Sequence, residues 1–226
     1  MWIILAALVT TGAALALLGY FAHVEWLPLG EALARTTYRL AVAYVIAMAL
    51  GVSIALLVGW SPLTDYLFPV FDLLQNIPSF ALLPIFIYFF GFTGQMIILF
   101  AVSSIVWPIL FAVLTAIRSA HVDLADAATI FGATGIKRIP YYLAPLSYPA
   151  ILTGSVVGIA IGWEAVIGAE IISSLSGFGA FILKAGTAGI SPATIAGTIG
   201  ILLIVFVINR LIWAPLLSES VRRYAE

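Results

Sequence analysis

The sequence predicts an all-α membrane protein with about six transmembrane helices. Three observations lead to this class. Of the 226 residues, 64% are hydrophobic and only 8% are charged, whereas soluble domains carry about 25% charged residues to cover their surface. The mean hydropathy is +1.20. Finally, the apolar residues form continuous runs, which suit helices that face lipid.

Six apolar runs are long enough to cross a bilayer. Its hydrocarbon layer is roughly 30 Å thick, which a helix of about 20 residues spans. Continuous runs do not fit the alternating pattern of barrel strands, so helices are expected to satisfy the backbone polar groups. The predicted spans are approximately residues 2–21, 40–60, 67–90, 96–117, 148–171 and 192–213.

The first run, residues 2–21, is interpreted as a retained span rather than a cleaved secretory signal. No basic residue precedes its apolar core, and that core exceeds the usual length of about 7 to 15 residues. The third and fourth runs contain internal prolines. We expect kinked helices there, because neighbouring helices can satisfy the carbonyls that a proline leaves free.

The lysine and arginine residues of the short loops predict the orientation. Cytoplasmic loops of membrane proteins carry an excess of these residues. Six predicted spans with a cytoplasmic central hairpin place both chain termini in the cytoplasm. The basic residues then divide six to three, with Arg118, Lys137, Arg138, Arg210, Arg222 and Arg223 inside and Arg35, Arg39 and Lys184 outside.

The polar hairpin of residues 121–145 separates two apolar runs. On a helix, Leu124, Ala128 and Phe131 share one face, and Asp123 and Asp126 point away from it. A left-handed glycine cap is expected just after this stripe. Two interpretations remain open: a helix that lies in the lipid headgroups, or a docking surface whose small alanines admit another protein.

The hairpin also carries a motif: D-A-A, three residues, G, nine residues, then Y-L-A-P. This spacing resembles the EAA loop of ATP-binding-cassette importer permeases, with the pattern E-A-A, three residues, G, nine residues, I-x-L-P. The matching positions are Asp126, Ala127, Ala128, Gly132 and Pro145. The sequence departs from the pattern at three positions, which are Asp126 for glutamate, Tyr142 for isoleucine and Ala144 for leucine.

The flanking segments resemble the nitrate, sulfonate and taurine type of permease over residues 36–185. The similar stretches are IPSFALLPIFIYFFGFTGQ, WPILFAVLTAIRS and GWEAVIGAEIISSLSGFGAFI. They include a tryptophan, Trp163, followed seven residues later by the glutamate of the pair Ala169-Glu170.

The resemblance implies a single permease domain over residues 1–226, located in the cell (inner) membrane. This domain would be a bundle like that of type I importers, with a cytoplasmic coupling helix in the hairpin of residues 118–147. It further implies a homodimer that binds an ATPase subunit at each hairpin and receives its substrate from an extracytoplasmic binding protein. The implied ATPase-coupling residues are Asp123, Asp126, Ala127, Ala128, Phe131 and Gly132.

Five polar or aromatic residues are candidates to line a transport pathway: Trp163, Glu164, Glu170, Gln75 and Asn76. Glu164 lies about 24 Å along a helix that begins near residue 148, so it falls inside the hydrocarbon layer, where charges face the bundle interior or a wet cavity. Neutral protonation or a hydrogen bond to a polar neighbour stays open for Glu164, and simpler roles stay open for the others. Trp163 suits an interfacial anchor, Glu170 a cap for the turn at residues 173–179, and the amides a wet interface.

The sequence offers no catalytic, metal or cofactor site. His23 and His121 lie far apart without acidic neighbours at ligand spacing, and no G-x-x-x-x-G-K-[ST] phosphate loop occurs, so ATP hydrolysis is expected in a separate subunit. Two rival functions remain. One is a proton- or cation-coupled secondary transporter or channel that uses Glu164 and Glu170; the other is a membrane subunit that only anchors partner proteins.

Overall fold

The computed structural model describes residues 26–186 and 192–224, and every regular element in these two ranges is helical. The first predicted span, residues 2–21, lies outside the described residues. A 3₁₀ turn, Gly135–Lys137, and two π-helical turns, Ile139–Leu143 and Asn209–Trp213, join the longer elements. The helices are α1 (Trp26–Trp60), α2 (Thr64–Gln75), α3 (Ser79–Phe90), α4 (Gly94–Arg118), α5 (Val122–Ile130), α6 (Ala144–Ser173), α7 (Phe178–Gly186), α8 (Pro192–Ile208) and α9 (Ala214–Tyr224).

Four helical segments of the described chain are long and apolar enough to cross a membrane. They correspond to four of the predicted spans, so the all-α membrane class is confirmed. The last segment runs through the π-helical turn into α9, which places Arg210 inside a candidate span and not in a cytoplasmic loop as the orientation argument assumed. The four segments are Trp26–Trp60, Gly94–Arg118, Gly135–Ser173 and Thr194–Ser220.

The third predicted span, residues 67–90, consists of two helices instead of one kinked helix, and the two together are still apolar and long enough to form one broken span. Helices α2 and α3 have 12 residues each and meet at an angle of 84°. Each is only about 18 Å long, too short to cross the bilayer alone. The break falls before Pro78, which lacks an N–H and disfavours helical geometry at the preceding residue. Pro69 and Pro84 lie within the helices without ending them.

Helices α1, α4 and α6 form the centre of the bundle. Helix–helix packing in lipid relies on small residues that allow close backbone approach. On α6, Gly154, Gly158 and Gly162 recur every fourth residue against α4, and a Cβ at Gly154 would lie 2.8 Å from the carbonyl oxygen of Pro108. On α1, a Cβ at Gly51 would lie 3.1 Å from the carbonyl oxygen of Val106. These close contacts pack the three helices together as one unit.

Candidate functional site

The hairpin helix α5 stands at one end of the bundle with no buried residue. It begins after His121, which has an extended backbone, and ends at Ile130, with Phe131 as its C-terminal cap residue. The next residue, Gly132, has a φ of +85°, and Gly135 has a φ of +55°. Both values lie in the left-handed region that glycine enters at low cost. The predicted glycine cap is therefore confirmed, and it turns the chain back towards α6.

The exposed surface of α5 is apolar at its tip. Phe131 is 90% exposed and Ile130 is 83% exposed, although large apolar side chains are usually among the most buried. Ala127 and Ala128 are half-buried, and the carboxylates of Asp123 and Asp126 are exposed. The hairpin thus presents two bulky apolar groups beside small and acidic residues. The tip is therefore a candidate interaction surface.

The base of α5 borders a polar cleft between the hairpin and the adjoining ends of α1, α2 and α4. Asp126 and Arg138 line it. Also in this cleft, the guanidinium of Arg118 lies 3.2 Å from the carboxylate of Asp65 and 4.4 Å from the ring centre of Phe68. Arg118 therefore ties the end of α4 to the start of α2, directly beside the hairpin. The sequence identified Arg118 only as a loop charge, because its partner Asp65 is 53 positions away.

A second polar cluster lies at the other end of the bundle, around Glu170. The side chain of Glu170 is fully buried. Its carboxylate accepts hydrogen bonds from Thr36 Oγ1 at 2.8 Å, Arg39 Nη1 at 2.6 Å and the backbone N–H of Gly179 at 3.0 Å. Arg39 also donates to the carbonyl of Ser176. Glu170 thus caps the turn that follows α6, as one of its two interpretations anticipated.

Thr36 and Arg39 are the residues of this cluster that the sequence did not identify. Thr36 is fully buried in α1, and its Oγ1 also accepts the backbone N–H of Phe178 at 2.8 Å. A threonine four residues before an apolar run carries no local signal of such a role. The charge of Arg39, next to an apolar run, was the only available hint.

The remaining pathway candidates occupy three different environments. Trp163 is buried in the main core, whereas Glu164 is exposed on the surface of α6. Gln75 and Asn76 lie at the break between α2 and α3, where both side-chain amides donate to Asp72. The structure therefore does not bring the five candidates into one cavity of the single chain. Their lining of a pathway stays a prediction.

A family model places the chain among known proteins. The model described as binding-protein-dependent transport system inner membrane component matches residues 47–214, which include α4, the hairpin and α6. The match extends from the middle of α1 to the start of α9. It therefore spans most of the described bundle and the whole of the hairpin site.

Curated relatives agree with this match. The chain is 28% identical to the taurine transport system permease protein TauC of Escherichia coli over 182 residues, covering 80% of this chain and 66% of the relative. It is 28% identical to the nitrate import permease protein NrtB of Leptolyngbya laminosa, covering 80% and 65%. It is 32% identical to the bicarbonate transport system permease protein CmpB of Synechococcus elongatus, covering 65% and 54%.

The chain spans between about half and two thirds of the length of these relatives, which are all named as transport permeases. Its apolar helices make it a multi-pass membrane protein. Since the family model matches far more than half of the sequence, the chain belongs to the family of binding-protein-dependent transport system inner membrane components.

Proposed function

We propose that this chain is the transmembrane permease subunit of an ATP-driven, binding-protein-dependent importer of a small solute. The observation that carries the proposal is the hairpin helix α5, whose apolar tip is exposed and whose residues are all outside the core. The names of the relatives, which refer to taurine, nitrate and bicarbonate transport, support a small solute as the cargo.

The hairpin suits a protein partner better than a lipid surface. Helices that lie in headgroups are typically rich in lysine and arginine on their polar face. Helix α5 has none, and instead exposes Asp123 and Asp126, which anionic headgroups repel. Half-buried Ala127 and Ala128 leave room for a partner backbone, and Phe131 is an anchor of the kind that fills a partner's pocket.

The partner at the hairpin is a cytoplasmic ATP-binding-cassette ATPase subunit. Six residues form the coupling surface, namely Asp123, Asp126, Ala127, Ala128, Phe131 and Gly132. Because the sequence has no phosphate loop, this partner hydrolyses the ATP. The hairpin and both chain termini then lie in the cytoplasm, and the turn capped by Glu170 faces the extracytoplasmic binding protein.

Two copies of the chain form the transport pathway between them. Residues 1–226 act as one permease domain, with residues 36–185 as its core and Trp163, Glu164, Glu170, Gln75 and Asn76 as the pathway candidates. Closure of the paired ATPases moves the unit of α1, α4 and α6 through α5 and switches the opening of the pathway. A rival use of Glu170 as an exchangeable proton carrier conflicts with its burial and its ion pair with Arg39.

Reconstitution tests this proposal. The chain is expected to copurify with an ATP-binding-cassette ATPase, and a soluble binding protein should stimulate ATP hydrolysis in liposomes that contain the complex. Solute uptake that needs a proton gradient and no ATP would establish a secondary transporter instead. ATPase binding without any solute uptake would leave only an anchoring role.

A further inference from the structure

Two charged residues stand on the surface of the single chain within its apolar spans. Glu164 is exposed on α6, and Arg210 is exposed in the π-helical turn Asn209–Trp213. Neither side chain forms an ion pair with another residue in the described ranges. Glu164 lies about 9 Å farther into its span than Glu170, and Arg210 lies about 24 Å along the segment that begins at residue 194.

The contacts of α1 place both residues at similar depth in the bundle. Gly162 of α6 faces Leu40, since an added Cβ would lie 2.6 Å from Leu40 Cδ1. Glu164 is two residues, about 3 Å, beyond that level towards the Glu170 end.

On the last span, the ring of Trp213 packs 6.1 Å from the ring of Tyr44, one helical turn below Leu40. Arg210 precedes Trp213 by three residues, about 5 Å towards the Glu170 end. Arg210 therefore lies close to the level of Leu40. The backbones of Glu164 and Arg210 differ in depth by only about 5 Å, which an arginine side chain can bridge.

Neither group suits contact with lipid. Ionisable residues within spans face protein or water and pair with one another. Arg210 also borders an open groove lined by Leu202, Val205, Phe206, Asn209 and Ala214. Within residues 26–186 and 192–224 neither charge has an ion-pair partner, and a second copy of the chain would supply the opposite charge to each.

We infer that Glu164 of one copy pairs with Arg210 of a second copy across the subunit interface. This inference rests on the homodimer of the proposed function. A twofold axis along the membrane normal leaves the depth of every residue unchanged, so Glu164 meets only groups of its own depth in the partner, and Arg210 satisfies that condition. Isologous symmetry then forms the pair twice, and each copy satisfies the charge that the other exposes.

Site-directed cross-linking between two differently tagged copies tests the pairing. The sequence contains no cysteine, so one copy carries Glu164→Cys and the other Arg210→Cys as their only thiols. A short bifunctional thiol reagent applied in membranes should link the two tags at least tenfold more than it links either variant to itself. Equal or stronger linking between two Glu164→Cys copies, or no product at all, would overturn the pairing.

The matched control moves the thiol by one residue. Leu211 is exposed in the same π-helical turn, but as the next residue along the chain its side chain points in a different direction around the helix axis. The combination of Glu164→Cys with Leu211→Cys is expected to give at least fivefold less product. If it cross-links as well as the Arg210→Cys combination, the groove that Arg210 borders is not the contact.

A charge exchange tests the same pair without cysteines. Glu164→Arg or Arg210→Glu alone places like charges opposite each other, so the dimer fraction at a fixed protein-to-lipid ratio should fall at least tenfold. The double variant restores opposite charges and should recover to within threefold of the parent, a coupling that a double-mutant cycle measures. A double variant no better than the worse single variant would refute the pair.

An ATPase pull-down on the same variants separates a failure of the Glu164–Arg210 pair from a failure of the proposed importer function. Glu164 and Arg210 lie in the spans, whereas the ATPase is assigned to α5. Cross-linking without ATPase binding leaves the pair standing and removes the importer proposal. ATPase binding without cross-linking between the two positions removes the pair alone.

Discussion

The guanidinium of Arg39 in α1 lies 2.6 Å from the carboxylate of Glu170 in α6. The Glu170 side chain is fully buried and that of Arg39 is 12% exposed. Thr36 and the N–H of Gly179 complete the coordination of the carboxylate. Since these groups belong to α1, α6 and the start of α7, the ion pair joins three helices at one end of the bundle.

Replacing Arg39 should destabilise the fold. Arg39→Leu removes one partner of a buried pair, which typically costs about 3 to 5 kcal/mol because the remaining charge is uncompensated. Arg39→Lys keeps the charge and is the matched control, with a smaller loss expected because an ammonium still compensates the buried carboxylate of Glu170. Thermal unfolding of the purified proteins measures this effect, and the melting temperature should fall in the order parent, Arg39→Lys, Arg39→Leu. An Arg39→Leu protein as stable as the parent would mean that the ion pair contributes nothing.

Gly177 is expected to tolerate no side chain. A Cβ at this position would overlap the carboxyl group of Glu170, so Gly177→Ala must displace the buried acid, and overpacking of this kind costs about 1 to 3 kcal/mol. Gly30→Ala is the control, because nothing lies within 4 Å of a Cβ there. It should be neutral or stabilising, since alanine favours a helix over glycine. Equal thermal stability of both variants would contradict the close approach of Gly177 to Glu170.

Single cysteines test the predicted orientation, and the structure identifies suitable positions. Ala133 is buried and Ser220 ends the last candidate span, whereas Thr134 and Arg222 are exposed and lie outside the candidate spans. In intact cells an impermeant thiol reagent should label Gly30→Cys and spare Thr134→Cys and Arg222→Cys. After cell lysis all three should react. Labelling of Thr134→Cys from outside would reverse the orientation and remove the ATPase from the hairpin.

The apolar runs predicted the long helices because span length and backbone hydrogen bonding in lipid are local constraints. Residues 96–117 and 148–171 lie within α4 and α6, which extend past the apolar cores. The break between α2 and α3 was harder to predict. Three prolines crowd that run and each has the same local effect on the backbone, so the pattern alone does not distinguish Pro78, which lies at the break, from Pro69 and Pro84, which lie within helices.

The candidate sites follow the same division between local and distant interactions. The cap at Gly132 was predictable, because the apolar stripe and the glycine are adjacent in sequence. The coordination of Glu170 was not, because Thr36 lies 134 positions away and carries no distinguishing pattern. The exposure of Glu164 also depended on the fold, since only the positions of α1 and α4 determine which side of α6 remains uncovered.

If the hairpin couples the chain to an ATPase, Ala128→Leu should weaken ATPase binding and Asp126→Glu should not. Ala128→Leu adds volume at a half-buried position of α5. A headgroup helix would gain affinity from the added apolar area, but a helix packed in a protein cleft loses about 1 to 3 kcal/mol. Since about 1.4 kcal/mol is a tenfold change in an equilibrium constant, pull-down should show ATPase binding weakened roughly tenfold. Asp126→Glu, which restores the residue of the EAA pattern, should bind the ATPase like the parent.

A substitution at Gly132 tests the same coupling role through the conformation of the backbone. Its φ of +85° disfavours a Cβ although nothing lies within 4 Å of one, so Gly132→Val should cost about 1 to 2 kcal/mol through strain alone. Gly132→Asn is the matched control, because asparagine enters the left-handed region more readily. We expect the valine variant to insert in the membrane but to lose ATPase binding or the coupling of hydrolysis to uptake, and the asparagine variant to retain both. Full retention of binding and coupling by Ala128→Leu and Gly132→Val would exclude the hairpin as the coupling element, because neither added volume nor a distorted turn would then affect the contact.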